Sequence, residues 1–342
     1  LLVRSITRVD AALLAGSRVR FVGTATIGTD HLDIPWLESQ GIAWASAPGC
    51  NARAVGEWVL NVLVQLAAEQ GVALTGRTLG IIGLGHVGRQ VAQLVRVLGI
   101  KVVACDPFLT ASDLPPALAD VPLLGLADLL AASDMITVHT PLTHTGPHPT
   151  WHLLDAARLE QLRPDAWLIN AARGPVVANA ALKDRLMQGG LTAVLDVWEG
   201  EPDPDTALLA QVRHGSPHIA GHSLEGKWRG TWQIMVAASA ALGLDLHGEL
   251  RDILPDEGGL SLAFPAGTDA PEVRLASLLS DVIALAGDDA RLRAALAGPD
   301  PAAAFDRLRK NYPTRREFPA HHVHVGADDA LHSVLIALGF CC

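Results

Sequence analysis

The sequence predicts a doubly wound parallel α/β protein with more than one domain, and three observations carry that expectation. Short apolar runs alternate with helical segments from about residue 78 to residue 220. The runs are continuously apolar, as strands covered on both faces of a parallel sheet must be. The chain has 342 residues, and at about 150 residues per domain that length asks for two or three units, each large enough to bury a core.

The strand candidates of this region are TLGIIG, KVVAC, MITVH, AWLINA, TAVLDVW and PHIAG. Between them lie VGRQVAQLVRVLG, LADLLAAS, WHLLDAARLEQL and NAALKDRLMQGG, in which apolar residues recur every three to four positions. Residues 1 to 50 repeat the style more loosely, with LLVRS and VRFVGTA, a helix ending near Gln40-Gly41, and IAWASA. Ala54 to Gly71 carries no turn signal and reads as one long connecting helix. GKWRGTWQIMVAASAALGLDL reads as another, returning the chain to the first unit. Pro and Gly thicken from about 250 to 272, a linker or arm. Two helical segments, a polar RLRKNYPTRREF stretch, a strand HHVHV and a final helix follow, forming a third unit small enough to invite partner contacts. The domains expected are therefore 1–53, 54–222, 223–250 (returning to the first) and 251–342.

Composition excludes several classes. With 49% hydrophobic and 18% charged residues, the chain is too apolar to be disordered. Acids outnumber bases 36 to 26, for a formal charge of −10. That balance argues against nucleic acid, whose phosphates need clustered Lys and Arg. The most apolar long segment, AVGEWVLNVLVQLAAEQGVAL, is interrupted by Glu57, Asn61, Gln65, Glu69 and Gln70. No run approaches the ~18–20 apolar residues of a membrane span. With no secretory signal pattern either, a soluble cytoplasmic protein is expected. Cys50, Cys105, Cys341 and Cys342 fit neither a disulfide framework nor metal-ligand spacing and read as reduced thiols.

Gly83, Gly85 and Gly88 in GIIGLGHVG form G-x-G-x-x-G after a strand and at a helix start. The first makes a tight turn, the second lets a pyrophosphate approach the backbone, and the third lets helix pack on strand. The anion then sits on the positive helix end. Asp106 stands 21 residues after Gly85, where an acid hydrogen-bonds the adenine ribose diol. A carboxylate there repels a 2′-phosphate, so the cofactor expected is NAD rather than NADP.

Polar residues follow the later strands, as a ligand crevice at the carboxyl edge of a sheet requires. His139-Thr140 follow MITVH, Asn170 to Arg173 follow AWLI, Asp196 and Glu201 follow TAVL, and His218 lies in the last strand candidate. Arg173, Glu201 and His218 are the residue types that oxidation of a 2-hydroxy acid needs. Arg offers a planar fork to a carboxylate. His takes the hydroxyl proton as hydride leaves C2, and a nearby Glu favours the protonated ring and fixes its tautomer. Glu201 and His218 lie 17 residues apart, close enough to meet at consecutive strand ends.

The run GLGHVG, Asp106, HTPL, INAARG, DVWEGEP and SPHIAG resembles the NAD-dependent D-2-hydroxyacid dehydrogenases. VRSITRV, FVGTATIGTDHLD, APGCNARAVGEWV, GHSLEGKWRGT and FDRLRKNYPTRREF extend the likeness to the branch that oxidises 4-phospho-D-erythronate to its 2-oxo acid, on the way to pyridoxal 5′-phosphate. The resemblance implies a flavodoxin-like substrate domain beside the NAD-binding domain, and a C-terminal domain that joins two chains in a homodimer. Arg173 and Glu201 become active-site residues and His218 the proton donor of the reverse direction. NAD is placed on Gly83, Gly85, His86, Val87, Gly88, Asp106, His139, Thr140, Ala171, Asp196 and Gly221, and substrate on Ser5, Thr26 and His222. His222 stands where the family usually has Tyr. The family's first strand and helix have no counterpart before Leu1, so a missing first βα unit is expected. Dehydrogenases for phosphoglycerate or glycerate are the alternative activity, and a non-catalytic NAD sensor would carry a broken Arg, Glu, His set.

Three histidines, His144, His148 and His152, recur every four residues, but the prolines of THTGPHPTWH oppose a helix and no metal is expected. His322 and His324 share one face of a half-exposed strand. Arg315 and Arg316 are expected at the dimer surface, with contact to a substrate phosphate of a partner subunit as the alternative. Arg4, Lys227 and Arg229 are the candidates for a substrate phosphate.

Overall fold

The computed structural model describes residues 1–4, 7–245, 248–250, 254, 258–326 and 329–342. Strands β1 (Leu2–Val3), β2 (Phe21–Thr24) and β3 (Ala43–Ala45) form a parallel sheet in the order β1-β2-β3. Short helices α1 (Ala11–Leu14) and α2 (Ile34–Ser39) connect them, capped by Asp10 and Asp33, whose carboxylates accept otherwise unpaired N–H groups. Helix α3 (Ala52–Gln70) then leads away and ends at Gly71, whose φ of +64° suits a left-handed cap.

The second sheet contains β4 (Thr78–Ile82), β5 (Lys101–Cys105), β6 (Met135–Val138), β7 (Ala166–Asn170), β8 (Leu191–Leu195) and β9 (His214–Gly215). All pairings are parallel and the order is β5-β4-β6-β7-β8-β9, so the winding reverses at β4. A ligand crevice opens at such a reversal, beyond the carboxyl ends of the strands. Helices α4 (His86–Arg96), α5 (Leu126–Ala132), α6 (Ala156–Leu159), α7 (Asn179–Met187) and α8 (Thr206–Gln211) make the crossovers. Helix α9 (Leu224–Leu242) returns to pack on β2 and β3, with Ile234 buried against Gly23.

Two of the expected elements are corrected. PHIAG is not a strand; β9 is the preceding His214–Gly215, and His218 sits in a turn at φ +58°. The cause is Asp196, whose carboxylate draws in the N–H groups of Ile219 and Ala220 and bends the chain away from the sheet. In WHLLDAARLEQL only Ala156–Leu159 is helical. His152 is left-handed at φ +50°, and Thr143 and Thr150 clasp the loop before it through their hydroxyls and backbone.

The expected linker between 250 and 272 contains a strand, β10 (Ser261–Ala263), parallel to β11 (His322–His324). Helices Pro271–Val282, Leu285–Leu296, Pro301–Lys310 and His332–Leu338 complete this unit. RLRK therefore belongs to a helix rather than to a polar loop. Arg315 and Arg316, expected at the surface, are 5% and 8% exposed. Arg316 bonds Glu225 at 2.6 Å, while Glu317 takes Arg229 and the Ser223 hydroxyl.

Three of the polar residues that interrupt α3, Glu57, Asn61 and Gln65, tie this unit back onto its own chain. Asn61 donates to Ile283 O at 3.0 Å and Gln65 to Ala276 O at 2.8 Å. Gln70 accepts from Trp167, and Glu69 binds Arg213 and His214 at 2.6 and 2.7 Å. Glu57 accepts from Arg53 at 2.6 Å and from Phe318 N at 3.0 Å. Glu57 and Asn61 are buried and Gln65 is half-buried, and each is satisfied by a partner far along the chain, as burial demands; Glu69 and Gln70 are exposed. Between them Trp58, Leu60, Leu63 and Leu66 are fully buried, each contributing about 1.5–3 kcal/mol of apolar transfer. Among the described residues no helix is long and apolar enough to cross a membrane.

Desolvation pushes the Glu57 carboxyl up to about 8, against the pull of Arg53. In the unfolded chain it ionises near 4.5, so between these values the folded state binds more protons and stability falls as pH rises. Glu57→Gln, which keeps the acceptor oxygen, is expected to remove that slope and gain on the parent by on the order of 1 kcal/mol per pH unit. Urea midpoints measured from pH 5 to 8 would show it. Parallel curves for the two proteins would refute it.

Candidate active site

The glycine loop is built as its spacing demands. Gly83 has φ +91°, and a Cβ there would stand 2.8 Å from His139 O. A Cβ on Gly88 would stand 2.2 Å from Gly83 O, so α4 lies against the loop only because both side chains are absent. Gly85 caps α4 and nothing lies within 4 Å of where its Cβ would be, which leaves the helix N-terminus open to an anion. Asp106 follows β5 and accepts from Leu84 N at 2.9 Å and Phe108 N at 3.1 Å, so its carboxylate stands beside the loop.

The other expected cofactor residues border the same crevice. His86 is exposed at the start of α4, with its ring against Gly49, and Val87 is half-buried over the core. His139 bonds the Thr137 hydroxyl at 2.9 Å, and desolvation pushes it down to about 3, so its ring is neutral. Thr140 Oγ1 is buried with no hydrogen-bond partner among the described residues, a donor left for a ligand. Ala171 is half-buried past β7, and Gly221 lies against Asn51, whose Nδ2 would be 2.1 Å from a Cβ. The open helix end, the carboxylate beside it and the orphaned hydroxyl fit a dinucleotide.

Asn170 ends β7 and shapes the turn that presents Arg173. Its Oδ1 accepts from Ala172 N at 3.1 Å and its Nδ2 donates to Arg173 O at 3.0 Å. The Arg173 guanidinium reaches across to the first sheet, where Asp30 lies 3.4 Å from Nη2. Gly28 permits the approach, since a Cβ there would be 2.2 Å from the same nitrogen. An exposed carboxylate on the far wall thus rests on the fork that a carboxylate ligand would use.

Asp196 follows β8 and is 1% exposed. Its carboxylate accepts from Ser216 Oγ at 2.5 Å, Ile219 N at 2.7 Å and Ala220 N at 3.0 Å, and its carbonyl accepts from His218 N at 2.7 Å. Four bonds from one residue fix the turn that carries His218. His218 Nδ1 meets Glu201 Oε2 at 2.8 Å, and Glu201 Oε1 accepts from Trp198 N at 2.9 Å. Burial opposes ionisation of Glu201, but the hydrogen bond and charge of His218 hold its carboxyl below the ordinary range. A His whose Nδ1 is bound to a carboxylate has Nε2 left to take or give a proton.

On the first sheet Thr26 bonds Thr24 at 2.7 Å and Gly28 O at 3.1 Å. Ser5 lies outside the described residues. His222 is crowded by burial and by Lys227, Arg309, His218 and Arg315, which together push it down to about 3. Arg229 is withdrawn as a phosphate candidate, because it is spent on Glu317 and on Cys50 O at 2.7 Å. Sequence reasoning did not single out Asp30, Gly28, Asn51, Tyr312 or Arg309. Asp30 and Gly28 lie in GTATIGTDHLD, and a glycine and an acid after a strand were the only signal for them.

Residues 51–220 match the family model for the NAD-binding domain of D-isomer-specific 2-hydroxyacid dehydrogenases. Residues 255–339 match a second model, described only as a domain of unknown function. The erythronate-4-phosphate dehydrogenase of Pseudomonas paraeruginosa is 49% identical over 343 residues, 99% of this chain and 88% of that protein. The enzyme of the same name from Stutzerimonas stutzeri is 49% identical with the same coverage. Among solved structures, a D-lactate dehydrogenase from Aquifex aeolicus complexed with NAD and lactic acid shares the fold, with TM-score 0.61 at 24% identity over 71% of this chain and 82% of that one. The apo D-mandelate dehydrogenase of Rhodotorula graminis gives TM-score 0.56 at 26% identity, over 64% and 71% of the two chains. With this crevice, this His–Glu pair and these relatives, the chain belongs to the erythronate-4-phosphate dehydrogenases, a branch of the NAD-dependent D-2-hydroxyacid dehydrogenases.

Proposed function

We propose that the protein oxidises 4-phospho-D-erythronate at C2 with NAD, giving 2-oxo-3-hydroxy-4-phosphobutanoate in the synthesis of pyridoxal 5′-phosphate. The observation that carries this reading is the His218–Glu201 pair at 2.8 Å, held on a turn pinned by Asp196, at the sheet edge that also presents Arg173. Bound NAD supplies the hydride acceptor. His218 Nε2 takes the hydroxyl proton as the C2 hydrogen departs, and Glu201 stabilises the imidazolium that forms. Arg173 exchanges Asp30 for the substrate carboxylate and polarises the C2 oxygen. Thr26 and His222 supply further contacts to the substrate.

In this reading 1–53 and 223–250 form the substrate domain, 54–222 the NAD-binding domain and 251–342 the dimerisation domain of a cytoplasmic homodimer. Exposed Val273 and Ile336 on the last unit, and four unpaired thiols, support it. Arg4 and Lys227 are both exposed at the mouth, near enough that desolvation and then Arg4 lower the Lys227 ammonium. Steady-state rates on 4-phosphoerythronate, erythronate, 3-phosphoglycerate and glycerate test the substrate. The phosphorylated four-carbon acid is expected to give the highest kcat/KM, and a higher value for either three-carbon acid would overturn the reading.

A further inference from the structure

Two arginines of the C-terminal unit, Arg309 and Arg315, carry buried donor nitrogens with no partner among the described residues. Arg315 is 5% exposed. Its Nη2 donates to Ala54 O at 3.0 Å and to Ala220 O at 2.7 Å, bridging the two segments where the chain crosses between sheets. Its Nε and Nη1 are buried with no partner among the described residues. Arg309, at the end of helix Pro301–Lys310, likewise has a buried Nε without a partner. Their neighbours are treated differently, since Arg229 is neutralised by Glu317, and Arg316 meets Glu225.

Both unpaired groups border the catalytic turn. Arg309 and Arg315 each act on His222, and Arg309 is one of the charges favouring ionised Glu201. Between them in sequence, Tyr312 lays its ring edge against His222, with ring centroids 5.9 Å apart, and ties its hydroxyl to Asp288 at 3.0 Å. Residues 309–315 therefore pass directly beside His222. Buried N–H groups of a guanidinium left without an acceptor are unfavourable unless a ligand supplies one. An anion that can accept from two guanidinium groups that both act on one His222 ring is a phosphate.

We infer that the C-terminal unit completes the substrate site of its own chain, with Arg309 and Arg315 receiving the terminal phosphate of the 2-hydroxy acid. This rests on the phosphorylated substrate proposed above. It gives the unit a role in specificity besides any in assembly, and it moves the main phosphate contact inward from Arg4 and Lys227. It also resolves how a protein of net charge −10 admits a polyanion, because the local sign around His222 is positive.

The test uses the full chain with inorganic phosphate as probe, and 4-phosphoerythronate and erythronate as substrates. Arg309 ends a helix and is half-buried, so Arg309→Gln should fold; Arg315→Lys keeps a charge and the small volume change. Calorimetric affinity for inorganic phosphate is expected to fall about 10- to 100-fold in each, the range for loss of a charged hydrogen bond. The ratio of kcat/KM for 4-phosphoerythronate over erythronate should fall by a similar factor, and Lys227→Ala should move both less. Unchanged phosphate affinity in Arg309→Gln and Arg315→Lys, or a loss confined to Lys227→Ala, would overturn the inference. A parent protein that binds inorganic phosphate through Arg309 yet turns over neither acid would uphold the anion site and overturn the proposed substrate instead.

Discussion

His218→Ala is expected to bind NAD normally and to turn over at least ~10²-fold more slowly, the lower end for removal of a general base. The separation of effects follows from the fold. The cofactor loop rests on β4, α4 and Asp106, and none of its hydrogen bonds involves His218. The proton transfer, in contrast, has one imidazole, with Nδ1 already committed to Glu201 at 2.8 Å. Because residue 218 sits at φ +58°, alanine there adds backbone strain of about 1 kcal/mol. His218→Asn tolerates that conformation better and serves as the control. Fluorescence titration with NAD and steady-state rates on both variants decide the matter. Near wild-type turnover in either would remove His218 from the chemistry.

The second large effect is expected at Arg173. Replacing it by leucine removes two charge-assisted bonds to the substrate carboxylate, each worth about 1.5–3 kcal/mol, so kcat/KM should fall about 10²- to 10⁴-fold. Stability should change little, because among the described residues the side chain bonds only the Ala172 carbonyl and the exposed Asp30. Arg173→Lys should recover little of the loss, since an ammonium cannot form the planar fork. Full recovery by lysine would show that charge alone suffices and that the bidentate geometry is unnecessary. Thermal midpoints measured alongside separate lost binding from lost folding.

Much of the candidate site was legible because its chemistry is local. Gly83, Gly85 and Gly88 are read from one turn, and the distance to Asp106 is set by one βαβ unit. Asn170 and Arg173 share a single strand-end turn. His218 was placed on a strand instead of a turn, since the residue that bends the chain there, Asp196, lies 22 positions earlier. Its carboxylate meets Ile219 and Ala220 only after β8 and β9 pair. Arg315 and Arg316 read as surface residues for a related reason. Two adjacent arginines in a polar run are ordinarily solvated, and their buried partners, Ala54, Ala220 and Glu225, are about 90 or more residues away in the chain.

By itself the sequence determined a parallel α/β core, a dinucleotide loop with an acid in ribose position, and an Arg, Glu, His set, because strand period, glycine spacing and residue chemistry act over short distances. Tertiary structure alone decided which of the cations are free. Arg229, Arg309, Arg315 and Arg316 are equivalent as letters, yet folding brings Glu317 to Arg229 and Glu225 to Arg316, and leaves donor groups of Arg309 and Arg315 buried without a partner among the described residues. Charge pairing is set by distance in space, and the segments that meet here, α3, the turn after β9, α9 and residues 309–317, are joined only when the C-terminal unit folds onto the other two.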